Sequence, residues 1–172
     1  RLAAGKSSCR EIRHLPLIPE GALCGCGLRG CLETVASRLA IASAAAAAAL
    51  RGEAPALLED TGADVRKIRS RAISRSIANG DKAVERIVTD AAYWIGTGAA
   101  AVVNLLVPDI IVLGGGLVEA MPDLFKKHVQ RALGDKALTF EEKVKVSIAE
   151  LGDDATVTGA AAWAKKSIGD KA

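Results

Sequence analysis

Apolar residues recur along this chain with two different periods, and the change of period marks its organisation. From Leu32 the pattern predicts a helix to about Arg51, stopped by Gly52. Its Ala40–Ala49 stretch is built almost wholly from the strongest helix former. Glu53 to Gly62 reads as a break around Pro55. Val65, Ile68, Ala72, Ile73 and Ile77 return at helical spacing and predict a second helix over 64–78, ended by Asn79-Gly80. Asp81 then reads as the cap of a long third helix reaching Leu106, with Val84, Ile87, Val88, Ala91 and Ile95 as its apolar stripe. Past Gly96-Thr97-Gly98 the apolar residues run nearly all round, which predicts a buried second half.

After Pro108 the character becomes that of a strand. Ile110-Ile111-Val112-Leu113 is a continuous apolar run, as in a strand of a parallel sheet covered on both faces. Gly114-Gly115-Gly116 follows, then helical material from Leu117 to about Leu133, interrupted at Pro122. Val144 to Ile148 alternates like a second strand, Gly152-Asp153-Asp154 is a turn, and Val157 to Ile168 predicts a closing helix. Residues 1–31 are rich in Gly, Pro and Cys, lack periodicity, and read as loop and short extended pieces. There is no internal repeat. This order describes an α/β domain that is missing its first strands.

Composition narrows the function. With 172 residues, 50% hydrophobic and 25% charged, the chain supports a packed core and is not a disordered segment. A net charge of +3 is too small to mark a nucleic-acid binder. The basic side of the second helix (Arg66, Lys67, Arg69, Arg71, Arg75) lacks interleaved aromatics and reads as a solvated face rather than a polyanion surface. No stretch approaches the roughly 20 strongly apolar residues of a spanning helix. All four cysteines, Cys9, Cys24, Cys26 and Cys31, lie in the first 31 residues. A disulfide framework more often spreads through a fold, so this clustering points to metal ligands in a reducing compartment, with cytoplasm as the default.

Cys24, Cys26 and Cys31, spaced C-x-C-x4-C, need one more ligand for a closed tetrahedral zinc site. His14 is the economical choice, since Pro16 and Pro19 allow the chain to loop back; Cys9 is the alternative, and free buried thiols are the bland one. Gly25, Gly27 and Gly30 suit the tight turns of a backbone wrapped round a metal. Four protein ligands leave no position for water, so such a zinc is structural. Gly114, Gly115 and Gly116 join a strand to a helix, where bare backbone and a helix start suit a nucleotide; the alternative is a plain turn. Gly96 and Gly98 are weaker candidates for the same role.

These residues resemble a known family. Glu11-Ile12-Arg13-His14, then Cys24-Gly25-Cys26-Gly27-Leu28-Arg29-Gly30-Cys31-Leu32-Glu33, is similar to the E-x-G-H and C-x-C-G-x-x-G-C-x-E signature of the ROK family of repressors and sugar kinases. Pro108 to Gly116 resembles that family's P-x-x-I-V-L-G-G-G, and Gly152 to Ala161 its late D-x-A-x-x-x-G-A turn and helix. The resemblance implies an actin-like (ribonuclease H-like) fold, of which residues 1–31 form a zinc- and sugar-binding loop region. Residues 32–172 form the C-terminal α/β lobe. It implies transfer of the γ-phosphoryl of ATP, with Mg2+, to a hexose or N-acetylhexosamine, and self-association into homo-oligomers. Carried over, Glu11, His14 and Glu33 bind sugar hydroxyls, Gly114–Gly116 lie against ATP, and His14, Cys24, Cys26 and Cys31 hold zinc.

The pattern departs from the family in two ways. Arg10 and Arg13 stand where the family has glycine, adding bulk and charge; if those glycines hold positive φ, arginine also adds strain of about 1 kcal/mol or more. The family's D-x-G-x-T hairpin and N-D-x-N aspartate, which cradle phosphate and supply the base, do not occur in these 172 residues. No catalytic residue is therefore assigned, and the expectation is no turnover by this chain alone. Three functions follow: half of a glucokinase-like enzyme, the effector-binding half of a ROK repressor, or a zinc-stabilised module without catalysis.

Overall fold

A computed structural model describes residues 11–138 and 144–169. Eight α-helices and a pair of strands make up the regular structure of the described residues. Helix α1 (Glu33–Ala36) and helix α2 (Arg38–Leu50) replace the single helix expected from Leu32. The break has a local cause. Ser37 adopts an extended backbone (φ −72°, ψ 154°) and its hydroxyl accepts from the Ala40 N–H at 3.2 Å, capping α2. The expected break around Pro55 is instead helix α3 (Pro55–Thr61), with proline at its first position and Gly62 left-handed at its end. Helix α4 (Ser70–Ala78) starts six residues later than expected, because Asp64 draws the Arg66 N–H and guanidinium into a local turn.

Helix α5 (Lys82–Leu106) runs through the centre, as the apolar stripe predicts. Its main partner is helix α7 (Pro122–Lys136), and their closest approach is at Gly96. A Cβ there would meet the Ala132 Cβ at 2.6 Å and the Val129 carbonyl oxygen at 2.7 Å. Gly98 likewise faces Leu32 and Leu17. Both glycines are therefore close-packing positions of α5. The alanines of α2 act in the same way. Ala42, Ala45, Ala46, Ala48 and Ala49 are buried, and α2 lies against α3 and α5. Ile41, Leu57, Ile73, Val88, Phe125 and Leu133 fill the core between these helices. The second half of α5 is only partly covered: Ala99, Ala100 and Val103 are buried, whereas Leu105 and Leu106 are exposed.

Asp81 does not cap α5 with its side chain. Its buried carboxylate accepts instead from Ala56 N–H at 3.3 Å, Leu57 N–H at 2.8 Å and the Ser76 hydroxyl at 2.7 Å. It thus satisfies the first turn of α3, whose own N-cap, Ala54, has no side-chain acceptor.

Strands β1 (Ile110–Leu113) and β2 (Lys145–Ile148) pair in parallel, Ile110 opposite Lys145 and Leu113 opposite Ile148. Helix α6 (Gly116–Ala120) follows β1. The expectation of a strand covered on both faces is met on one face only. Leu113 and Val146 point into the core, while Ile110 and Val112 are 49% and 57% exposed. Helix α8 (Ala155–Gly169) closes the described chain after a short turn at Gly152–Asp154, and its side chains from Ala155 to Lys166 are exposed. On the basic side of α4 and the turn before it, Arg66 pairs with Asp64 and Arg75 with Asp60 at the surface, as a solvated face requires. Among the described residues, no helix is long and apolar enough to cross a membrane.

Candidate functional site

Residues 12–32 fold back on themselves through backbone hydrogen bonds, and this turn chemistry assembles the cysteines. Ile12–His14 is a single 3-10 turn. The chain then runs beside its own return. Leu17 and Ile18 donate to the Gly30 carbonyl at 2.9 and 3.1 Å, and Leu32 donates to Leu15 at 2.9 Å. Between them Cys24–Gly27 makes a tight turn, closed by Gly27 N–H to Cys24 O at 2.9 Å, with Gly27 at φ +91°. Gly30, at φ +70°, is the tightest point. A Cβ there would lie 1.8 Å from the Ile18 carbonyl oxygen.

This backbone brings His14, Cys24, Cys26 and Cys31 together, their ligand atoms all within 4.8 Å of one another. Cys24 Sγ is 3.6 Å from His14 Nδ1, and Cys26 Sγ is 3.6 Å from Cys31 Sγ. A tetrahedral ion with metal–sulfur bonds of about 2.3 Å sets its ligands about 3.7 Å apart, so the donor set and its spacing both fit zinc. The thiols differ in their surroundings. Burial, with Cys26 and Cys24 adding, pushes the Cys31 thiol up to about 12, while the Leu28 backbone N–H draws Cys26 down. Cys9 and Arg10 lie outside the described residues.

Two carboxylates stand beside the cluster. Glu33 Oε2 is 3.6 Å from His14 Nδ1, and Glu11 Oε2 is 3.8 Å from His14 Nε2. An imidazole bound to an ion through Nδ1 keeps its proton on Nε2, on the side of Glu11. The three residues expected to bind sugar are thus adjacent. Arg13 is their unexpected neighbour. Its Nε donates to Glu11 Oε2 at 2.7 Å and lies 3.9 Å from Glu33 Oε2. The bond to Glu11, then the charges of Glu11 and Glu33, hold the guanidinium above its ordinary pKa. Arg13 sits in the 3-10 turn and is not among the positive-φ residues, so the expected backbone strain is absent there.

A cleft of about 730 Å3 opens at this cluster, lined by Arg13, His14, Cys26, Glu33, Ser37 and Arg38 among others. A recess of about 230 Å3 continues from Arg13 and Glu33 to Ala36 and Ile95. Ala36 and Ile95 also line a third cavity, of about 250 Å3, whose floor is Gly114, Gly115 and Gly116. The two groups of residues singled out in the sequence therefore share one side of the molecule. Gly115, at φ +106° and ψ 157°, occupies a conformation open essentially to glycine, and no atom lies where its Cβ would be. Helix α6 behind it has only five residues, so the expected help from a helix dipole is small. Ser70, which lines this cavity, carried no signal in the sequence.

The ROK family model matches residues 1–167. The chain is 36% identical over 151 residues to a glucokinase of Halalkalibacterium halodurans, covering 87% of this chain and 45% of that protein. It is 30% identical over 161 residues to the DNA-binding transcriptional repressor Mlc of Escherichia coli, covering 93% of this chain and 38% of the repressor. Among solved structures, a ROK family glucokinase from Streptomyces griseus, in complex with glucose and AMPPNP, superposes with a TM-score of 0.74 at 32% identity. That match covers 91% of this chain and 51% of that one. The chain spans about half the length of the curated relatives it matches.

Proposed function

The chain belongs to the ROK family, and on that footing we propose that it is the hexose- and nucleotide-binding half of an ATP-dependent sugar kinase with an actin-like fold. In this reading residues 1–31 are the metal- and sugar-binding loop region and residues 32–172 the C-terminal lobe. The observation that carries it is the joining of Glu11, His14 and Glu33 to a Cys3His cluster at one end of a surface whose other end is the Gly114–Gly116 turn.

The chemistry follows from the residue types. Glu11 and Glu33 accept hydrogen bonds from vicinal hydroxyls, and the His14 N–H adds a directed contact. His14, Cys24, Cys26 and Cys31 would hold a zinc with no open position, and its role would be to fix the loop rather than to act as a Lewis acid. The bare backbone of Gly114–Gly116 admits a nucleotide phosphate at close range. When bound, ATP with Mg2+ supplies the transferable phosphoryl group and the neutralising charge. The base that takes the hydroxyl proton is not assigned to any residue of this chain. The glucose and AMPPNP of the Streptomyces griseus structure favour these ligands, and an N-acetylmannosamine kinase of Haemophilus influenzae, 29% identical, widens the sugar class. Similarity to Mlc favours a second reading, the effector-binding half of a repressor.

Metal analysis together with calorimetry on the zinc-replete chain separates these. One zinc per chain, with binding of both a sugar and AMPPNP, is the result expected for the kinase half. Sugar binding without nucleotide binding transfers the assignment to the repressor. A metal-free folded chain, or zinc without any sugar, overturns the sugar-site reading.

A further inference from the structure

We propose that Arg13 sets the ligand class of this site, turning it from a receptor for neutral hexoses toward one for a hexose that carries an anionic group. The inference rests on the sugar-site reading above and deepens it.

The argument is one of donors and acceptors. A neutral sugar offers hydroxyl protons, and a pair of carboxylates receives them. Here Glu11 Oε2 is already taken by Arg13 Nε at 2.7 Å, a charge-assisted bond of the shortest kind. The same nitrogen lies 3.9 Å from Glu33 Oε2, too far for a hydrogen bond, so Glu33 keeps its capacity for a hydroxyl. A neutral hexose that reaches for Glu11 is left its other oxygen, Oε1, beside a bound cation that has no acceptor to offer it.

Arg13 also brings something new. Its bond to Glu11 uses Nε alone, and its side chain is 59% exposed on the wall shared by the large cleft and the adjoining recess. Among the described residues the two terminal amino groups have no hydrogen-bond partner, and they present a planar fork of donors, the geometry that matches a carboxylate or a phosphate. Charge permits such a ligand. Glu11 is paired with Arg13, and Arg38 lines the same cleft as Glu33. A ligand with one anionic group and adjacent hydroxyls uses both features: its acid meets the Arg13 fork and a hydroxyl meets Glu33. The side chain stands on a 3-10 turn of ordinary backbone, so the arginine can be removed without asking the loop to change conformation.

The test is calorimetry on the zinc-replete full chain with glucose, glucuronate and glucose 6-phosphate, repeated on Arg13→Gly at matched zinc content and circular dichroism. The expected result is that the parent binds glucuronate or glucose 6-phosphate at least tenfold more tightly than glucose, and that Arg13→Gly reverses the order. Which anion is preferred separates the carboxylate from the phosphate source. A parent that binds glucose as tightly as either anion overturns the inference and leaves the sugar site standing. So does a parent that binds none of the three while Arg13→Gly binds glucose, since Arg13 would then only obstruct. Failure of both proteins to bind any of the three removes the sugar-site reading itself.

Discussion

Gly30→Ala is the most direct probe of how the metal loop is held. The new Cβ would sit 1.8 Å from the Ile18 carbonyl oxygen, where about 3.2 Å is the ordinary limit, so backbone must move by more than 1 Å. The residue is also at φ +70°, which costs an alanine about 1–2 kcal/mol. The parting of Gly30 from Ile18 strains the two hydrogen bonds that Leu17 and Ile18 donate to the Gly30 carbonyl, each worth about 0.5–1.5 kcal/mol. Together these come to about 2–5 kcal/mol, placed on the backbone pairing that sets Cys31 opposite Pro16, two residues from His14. At about 1.4 kcal/mol per decade, zinc affinity should fall roughly thirtyfold to a thousandfold or more. Competition against a chromogenic chelator at fixed pH measures this. Gly25→Ala is the matched control: it lies between Cys24 and Cys26, its φ is not positive, and a Cβ there meets no atom within 4 Å. It should stay within about threefold of the parent. A Gly30→Ala protein that holds zinc as well as Gly25→Ala does would refute the account of the loop.

Two further predictions concern the frame behind the site. Gly96→Ala should destabilise the chain by about 1–2 kcal/mol in urea unfolding, because forcing α5 and α7 apart outweighs alanine's better helix propensity. Gly134→Ala, on α7 with nothing within 4 Å of the added Cβ, should instead stabilise by about 0.5–1 kcal/mol, and a loss at Gly134 equal to that at Gly96 would show that packing does not distinguish them. Asp81→Ala strands two N–H groups at the start of α3 and the Ser76 hydroxyl, and should cost about 3 kcal/mol, with Asp81→Asn recovering part of it; a change under about 1 kcal/mol for Asp81→Ala would return the residue to an ordinary surface cap.

Helices α5 and α7 were legible from their apolar stripes, and the strands from an apolar run at Ile110–Leu113 and an alternation at 144–148. The grouping of His14 with Cys24, Cys26 and Cys31 was legible too. Three cysteines and a histidine within eighteen residues are confined by chain length alone, and the glycines among them mark where the backbone turns. Short-range signals were harder to weigh. Pro55 and Gly62 read equally as a loop or as the two ends of a helix, and it is the carboxylate of Asp81, distant in sequence, that completes the helical choice. Ser37 likewise cut a run of helix formers in two, because a capping hydroxyl competes with the continuing helix.

Other facts arise from contacts between distant segments, and no local pattern encodes them. Gly96 is a helix contact because Val129 and Ala132 arrive opposite it. The glycine turn and the carboxylates share a surface because Ala36 and Ile95 bridge them. The outer face of Ile110 and Val112 stays open because nothing among the described residues covers it, although the same four apolar residues would suit a strand buried on both sides. Arg13 is the sharpest instance. In the sequence it is a departure from a motif; in three dimensions its guanidinium reaches Glu11 and approaches Glu33, and which group a side chain neutralises depends on a distance that folding alone sets.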